Sequence, residues 1–197
     1  MIIPALLYMA WDIYFTTKGV WSFNEAYITG IKLYNLPLEE VLFFFVVPYC
    51  CTFIYACVRS YFPKLVNKKT ADLFLIILAV LLFVTGVVYA DRYYTSWTFI
   101  FTGAFILLLY SVRKNFESFD AVSFLISYAI SLIPFLIVNG FLTAIPVVLY
   151  NNAENLGIRI YTIPFEDAFY GMLLVLMNIV IYEKLKTQNP KPKTSNV

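Results

Sequence analysis

Histidine is absent from the 197-residue sequence, which removes the commonest metal ligand and the usual general base. Glycine is scarce, with seven residues and no Gly-x-Gly, so neither a dinucleotide fingerprint nor a phosphate-binding loop can be drawn. The three cysteines, Cys50, Cys51 and Cys57, share one apolar stretch without Cys-x-x-Cys spacing. They read as small packing residues and say nothing about redox compartment. Charged residues make up only 13%, against about a quarter in a soluble domain. The net charge of +2 is too small to argue for nucleic acid. No basic segment precedes the first apolar residues, Met1-Ile2-Ile3-Pro4, so no cleavable signal is read. Every lysine lies outside or at the end of an apolar run, which excludes a retinal bound through a lysine inside a bundle.

What remains is apolar: 61% hydrophobic residues and a mean hydropathy of +0.78. Such a chain needs lipid, and about 20 apolar residues cross a hydrocarbon core roughly 30 Å thick. Six spans follow, at 1–17, 37–58, 71–90, 96–112, 120–144 and 164–183. The fold class expected is therefore all-α, a polytopic membrane bundle of about six transmembrane helices. Pro48 and Pro134 fall inside spans, where neighbours or waters can satisfy the freed carbonyls. With a cytoplasmic C-terminus, ten cations lie inside (Arg59, Lys64, Lys68, Lys69, Arg113, Lys114, Lys184, Lys186, Lys191, Lys193). Four lie outside (Lys18, Lys32, Arg92, Arg159), a bias that sets this orientation. The polar tail from Thr187 reads as a disordered cytoplasmic end.

The chain also repeats itself. A shift of 127 residues lays Gly30-Ile31-Lys32-Leu33-Tyr34 on Gly157-Ile158-Arg159-Ile160-Tyr161 and Pro37-Leu38-Glu39-Glu40 on Pro164-Phe165-Glu166-Asp167. It also places Asp12 on Asn139, Thr16 on Thr143, Asn24 on Asn151 and Tyr55 on Tyr182. An even number of helices separates the copies, so the repeat is parallel, about an axis along the membrane normal. The organisation expected is a first repeat at 1–58, a connecting helix and loops at 59–95, a second repeat at 96–186 and a tail at 187–197. The span at 96–112 has no partner before the first, so a complete version is expected to carry one more helix upstream.

Both acidic tetrapeptides stand at the outer end of an apolar run, Pro37 and Pro164 occupying the first helical position. The bland reading is electrostatic complement to a helix start, about 0.3–1 kcal/mol. The duplication favours function instead, because Asp12 and Asn139 fall in the same outer slab and all these groups can converge on one pocket. Without histidine, metal or nucleotide, a carboxylic acid can still donate a proton, and carboxylates sharing a dry site can hold one proton between them. Aromatics crowd the motifs, among them Trp11, Tyr14, Phe15, Trp21, Tyr34, Phe43, Tyr161, Phe169 and Tyr170. Most are packing and interface residues, but ring faces in a cavity also stabilise a carbocation. An acid beside aromatic faces in a membrane suggests protonation of an alkene in a lipophilic polyene.

Trp11-Asp12-Ile13-Tyr14-Phe15, the stretch from Gly30 to Glu40, Asn139-Gly140-Phe141-Leu142-Thr143 and Pro164-Phe165-Glu166-Asp167 together resemble the heterodimeric-type, membrane-integral lycopene cyclase family in its fused two-repeat form. The resemblance covers nearly the whole chain. It implies a seven-helix plan whose N-terminal helix is missing here. The reaction it implies is a redox-neutral cyclisation of linear polyene ends to β-ionone rings, without flavin or other cofactor and without metal. Glu39, Glu40, Glu166 and Asp167 would be the catalytic carboxylates, with Asp12, Asn139, Pro37, Pro164, Trp11, Tyr34 and Tyr161 binding or supporting. Which carboxyl donates and which accepts is open. The partners implied are lycopene or a related carotenoid and the lipid bilayer of a bacterial inner membrane, with self-association open and nucleic acid excluded. The competing readings are a proton-coupled transporter or channel, whose acids would be spaced across the membrane, and a non-catalytic carotenoid-binding subunit.

Overall fold

The computed structural model describes residues 1–62 and 68–188. Six long helices dominate: α1 (Ile2–Lys18), α2 (Leu38–Tyr61), α3 (Lys68–Val88), α4 (Tyr93–Ser111), α5 (Ala121–Ala144) and α6 (Asp167–Gln188). Each overlaps one expected span, and α2 and α5 run through Pro48 and Pro134. Helices α2 to α6 are long and apolar enough to cross a membrane; α1, with 17 residues, reaches about 25 Å. Their exposed faces carry Leu42, Val46, Leu73, Leu81, Ile133 and Ile137, side chains that only lipid can solvate at that density. Lys64, Lys191, Lys193 and the tail beyond Gln188 lie outside the described residues, whereas Thr187 and Gln188 still belong to α6.

Six short strands decorate one end of the bundle: β1 (Trp21–Phe23), β2 (Lys32–Leu33), β3 (Leu36–Pro37), β4 (Val148–Tyr150), β5 (Arg159–Ile160) and β6 (Ile163–Pro164). They show the repeat in three dimensions, because β4, β5 and β6 follow β1, β2 and β3 by 127 residues. The single 3-10 turns at Glu25–Tyr27 and Asn152–Glu154 keep the same spacing. So do the left-handed residues Gly30 and Gly157, and Tyr34 and Tyr161. Strands β1 and β4 pair antiparallel, with Ser22 opposite Leu149 at the centre. Those two residues are themselves repeat equivalents, so a local two-fold passes through the ladder. The bonds flanking it agree: Asn24 N–H donates to Val147, and Asn151 N–H donates to Val20, both at 2.9 Å.

The prolines of the acidic tetrapeptides do not occupy first helical positions as expected. Pro37 pairs with Lys32 and Pro164 with Arg159 at the ends of two-residue hairpins. Proline is tolerated at such an edge, where no ladder donor is required. Pro37 caps α2 with extended backbone, and α6 begins only at Asp167.

Helix α6 is the hub, with Met172 through Leu176 buried consecutively because α1, α2, α4 and α5 all pack on it. Helices α3 and α4 form the tightest pair. A Cβ at Gly103 would lie 2.5 Å from the Ala79 carbonyl oxygen, so only glycine allows this approach, as small residues do between membrane helices. At the end opposite the strands, Arg59 of α2 pairs with buried Glu183 of α6 at 2.6 Å. Arg59 also donates to the Ser118 carbonyl at 2.9 Å.

Candidate active site

Beneath the β1–β4 ladder lies a cavity of about 270 Å³, and its wall brings together Asp12 of α1, Glu40 of α2, Asn139 of α5 and Asp167 of α6. These are two pairs of repeat equivalents, Asp12 with Asn139 and Glu40 with Asp167. Trp21, Tyr94, Tyr150 and Tyr170 supply aromatic faces at the same end, while Phe43, Val47, Phe135, Leu142 and Leu174 make the rest largely apolar. The convergence of acidic groups from both halves is therefore present, in a pocket roofed by the strands that join them.

The two halves hold their carboxyls differently. Asp167 accepts from Tyr150 Oη at 2.8 Å and Asn139 Nδ2 at 3.3 Å, and from Tyr94 Oη in a buried bond. Three donors fix its orientation. Burial pushes the Tyr150 hydroxyl well above its ordinary value, so Tyr150 stays a donor. Glu40 has no hydrogen-bond partner among the described residues, although it lines the same cavity. Asp12 is buried, and its Oδ2 has no partner. Tyr170 Oη is unpartnered as well. A buried polar atom without a partner costs about 1–3 kcal/mol, and such groups inside a cavity mark where chemistry has outweighed stability.

The first acid of each tetrapeptide is not in the cavity. Glu39 is exposed and accepts from Thr29 N–H at 2.7 Å. Its equivalent Glu166 accepts from Leu156 N–H at 2.7 Å and from Thr95 of α4 at 2.6 Å, with no exposed surface. Both close the loop ten residues upstream. Glu39 and Glu40 both lie in α2, where neighbouring residues point about 100° apart at 3.6 residues per turn, so one faces the loop and the other the bundle. Glu166 still belongs to the turn before α6, which Asp167 opens.

The remaining expected residues are also distributed. Pro37 and Pro164 are buried in the hairpins. Tyr34 and Tyr161 are 78% and 79% exposed at the hairpin tips, with φ near +60°, a region in which a bulky side chain is an outlier. They belong to the loop surface rather than the pocket. Trp11 stands one layer behind the wall, its ring 5.3 Å from that of Tyr170. Tyr94 and Tyr150, the donors to Asp167, were not foreseen. Tyr94 comes from α4, which has no counterpart among the described residues, and Tyr150 is the equivalent of Phe23, so repeat matching carried no signal for either.

The fold and cavity define a multi-pass membrane protein with an acidic, aromatic-walled pocket assembled from two repeats. A family model described as lycopene cyclase matches residues 1–58 and 91–185, and the chain belongs to that family. The unmatched stretch contains α3, the helix joining the halves. Similarity extends to the bifunctional lycopene cyclase/phytoene synthase of Pyrenophora tritici-repentis, 26% identical over 121 residues, which is 54% of this chain and 21% of the relative. The protein of the same name from Phaeosphaeria nodorum is 40% identical over 45 residues, 23% of this chain and 8% of the relative. The aligned part thus covers about a fifth or less of the length of these curated relatives. No solved structure matches.

Proposed function

We propose that the protein is a lycopene β-cyclase, an isomerase of the intramolecular lyase type, acting on the end of a linear carotenoid within the bilayer. The observation that carries this reading is the meeting of Asp12, Glu40 and Asp167 in one cavity with aromatic walls, in a chain of the lycopene cyclase family. Glu40, unpartnered in the cavity, is the proton donor. Its proton adds to the terminal C=C, and the tertiary cation is attacked by the neighbouring alkene, closing a six-membered ring. A proton leaves a ring carbon to the Asp12 carboxylate, and a double bond forms. One proton enters and one leaves, so substrate and product are isomers and no redox cofactor takes part.

Asp167 is the held carboxyl of the site, aimed by Tyr94, Tyr150 and Asn139. The faces of Trp21 and Tyr170 attract the cation, about 0.5–2 kcal/mol each when desolvated. The strand-bearing end faces out and the C-terminus is cytoplasmic, because Arg59, Lys68, Lys69, Arg113, Lys114, Lys184 and Lys186 stand at the other end.

The test is to express the chain in a lycopene-producing cell and separate the pigments. Appearance of β-ionone-ended carotenoids is the expected result; unchanged lycopene beside membrane-inserted protein sinks the proposal. Pigment retained but unchanged by the purified protein would select the binding-subunit reading.

A further inference from the structure

The exposed part of the cavity's lining is gathered on two helices. Of the side chains lining the cavity, only Cys50 on α2 and Pro134 and Val138 on α5 are exposed. Cys50 and Pro134 stand near the middle of their helices, at the level of the hydrocarbon core rather than at either water interface, and Val138 lies about a turn further toward the strand end. The strand end is roofed instead by Trp21, Phe23, Val148 and Tyr150. On the side away from the strands, α2 and α5 close against each other at Cys51, Tyr55, Phe124 and Tyr128, which belong to one buried cluster. These exposed rim residues mark a lateral window between α2 and α5.

The repeat-equivalent cleft, between α1 and α6, is shut. The repeat puts Tyr8 on Phe135, Trp11 on Val138 and Met177 on Cys50. Tyr8 is buried and packs with Phe44 and Leu174, while Trp11, Met177 and Phe105 of α4 lie against that cluster. One cleft carries bulky aromatic filling and a covering helix; its counterpart has a valine, a proline and a cysteine at the rim and lacks the cover.

Resting on the cyclase reading, we infer that the α2–α5 window is the entry portal for a linear polyene dissolved in the bilayer, and that the chain stays threaded through it during reaction. The volume argues for threading. About 270 Å³ lies just below the roughly 300–1,000 Å³ of pockets that engulf drug-sized ligands, so the cavity accepts one end of a long polyene and leaves the shaft in lipid. Each visit then cyclises one end, and the second ring requires release and re-entry through the same window.

The experiment narrows the rim. Val138→Trp and Cys50→Trp should each lower lycopene conversion by about tenfold or more, the scale on which a pocket discriminates bulk, with protein levels in the membrane unchanged. Leu81→Trp, equally lipid-exposed on α3, should leave conversion at the wild-type level. A second arm uses the unaltered chain in lipid nanodiscs: photolabelling of the rim residues Cys50, Pro134 and Val138 by an apolar diazirine reagent, located by mass spectrometry, should slow when lycopene is added. Full conversion by both rim variants overturns the portal while leaving the cyclase standing. Labelling that lycopene does not slow also overturns it. Slowed labelling without any conversion by the wild type keeps the portal and overturns the cyclase reading.

Discussion

The two halves share the backbone plan of their loops but not the packing of their helices. In both, an Asx side chain receives the N–H two residues on, Ala26 to Asn24 and Ala153 to Asn151, at 3.1 and 3.0 Å. In both, the first acid ties the loop shut and the second enters the cavity. The difference is α4, which stands beside the second acidic motif, while no described helix takes the same place beside the first. It gives Glu166 the Thr95 hydroxyl, gives Asp167 the Tyr94 hydroxyl, and packs Trp97 and Phe101 on Trp11 of α1. The first motif, without such a neighbour, leaves Glu39 in solvent and Glu40 without a partner. One scaffold thus presents a held carboxyl and a free one to the same space, and that inequality lets two similar acids take different roles.

Exchanging those roles is the largest test. Glu40→Gln removes a donatable proton at nearly constant shape and should cut conversion by about 10²–10⁴-fold, the usual worth of a general acid. Asp167→Asn keeps the shape but turns an acceptor of three donors into a mixed group, and should cost about 10–10²-fold while leaving some one-ring product. Pigment separation from matched membrane amounts reads both. If Asp167→Asn is silent and Glu40→Gln is dead, Asp167 is packing; if the order reverses, Asp167 is the donor.

Much of this inequality was hidden in the sequence, and the reasons are physical. Apolar runs of about 20 residues announce membrane helices regardless of tertiary context, so the six spans and the all-α bundle were legible. The 127-residue register was legible too, since loop and helix residues obey it together. The repeat, however, treats the two acids of each tetrapeptide alike, and only the direction of each side chain separates Glu39 from Glu40. Direction depended on where the helix starts, which the prolines misreported by ending hairpins instead of opening helices. Tyr94 and Tyr150 were invisible because the repeat pairs neither with a like residue. Tyr34 and Tyr161 recur for a loop reason, the left-handed corner of each hairpin, and their recurrence looked like a site.

The two loop-closing glutamates should separate in stability. Glu166→Ala leaves the Leu156 N–H and the Thr95 hydroxyl without their acceptor in a buried place, for about 2–3 kcal/mol. That corresponds to a fall on the order of 5–10 °C in Tm for a chain of this size. Glu39→Ala exposes the Thr29 N–H to water, which replaces the lost acceptor, and should cost less than about 1 kcal/mol. Thermal unfolding of both variants in one detergent makes the comparison. Equal losses would mean that α4 adds nothing to the second half's loop.

The smallest difference concerns the cations at equivalent loop positions. Lys32 bridges Glu25 at 2.6 Å, with 79% of the Glu25 side chain exposed, and that contact holds the Glu25 carboxyl below its ordinary value. A lowered acid stabilises the fold above its unfolded pKa and loses that contribution as pH falls through the lowered folded value. Because the pair is open to water and salt, its worth is screened away. Lys32→Ala should therefore match the wild type in Tm and conversion from neutrality down to about pH 4. Arg159 occupies the equivalent position, but its guanidinium lies 5.6 Å from the Tyr150 ring centre, and it hydrogen-bonds Asn152. Since Tyr150 holds Asp167, Arg159→Ala should slow cyclisation a few-fold with little change in Tm. A loss in Lys32→Ala equal to that in Arg159→Ala would show that the loops act by net charge, and the held-versus-free contrast would then stop at the cavity wall.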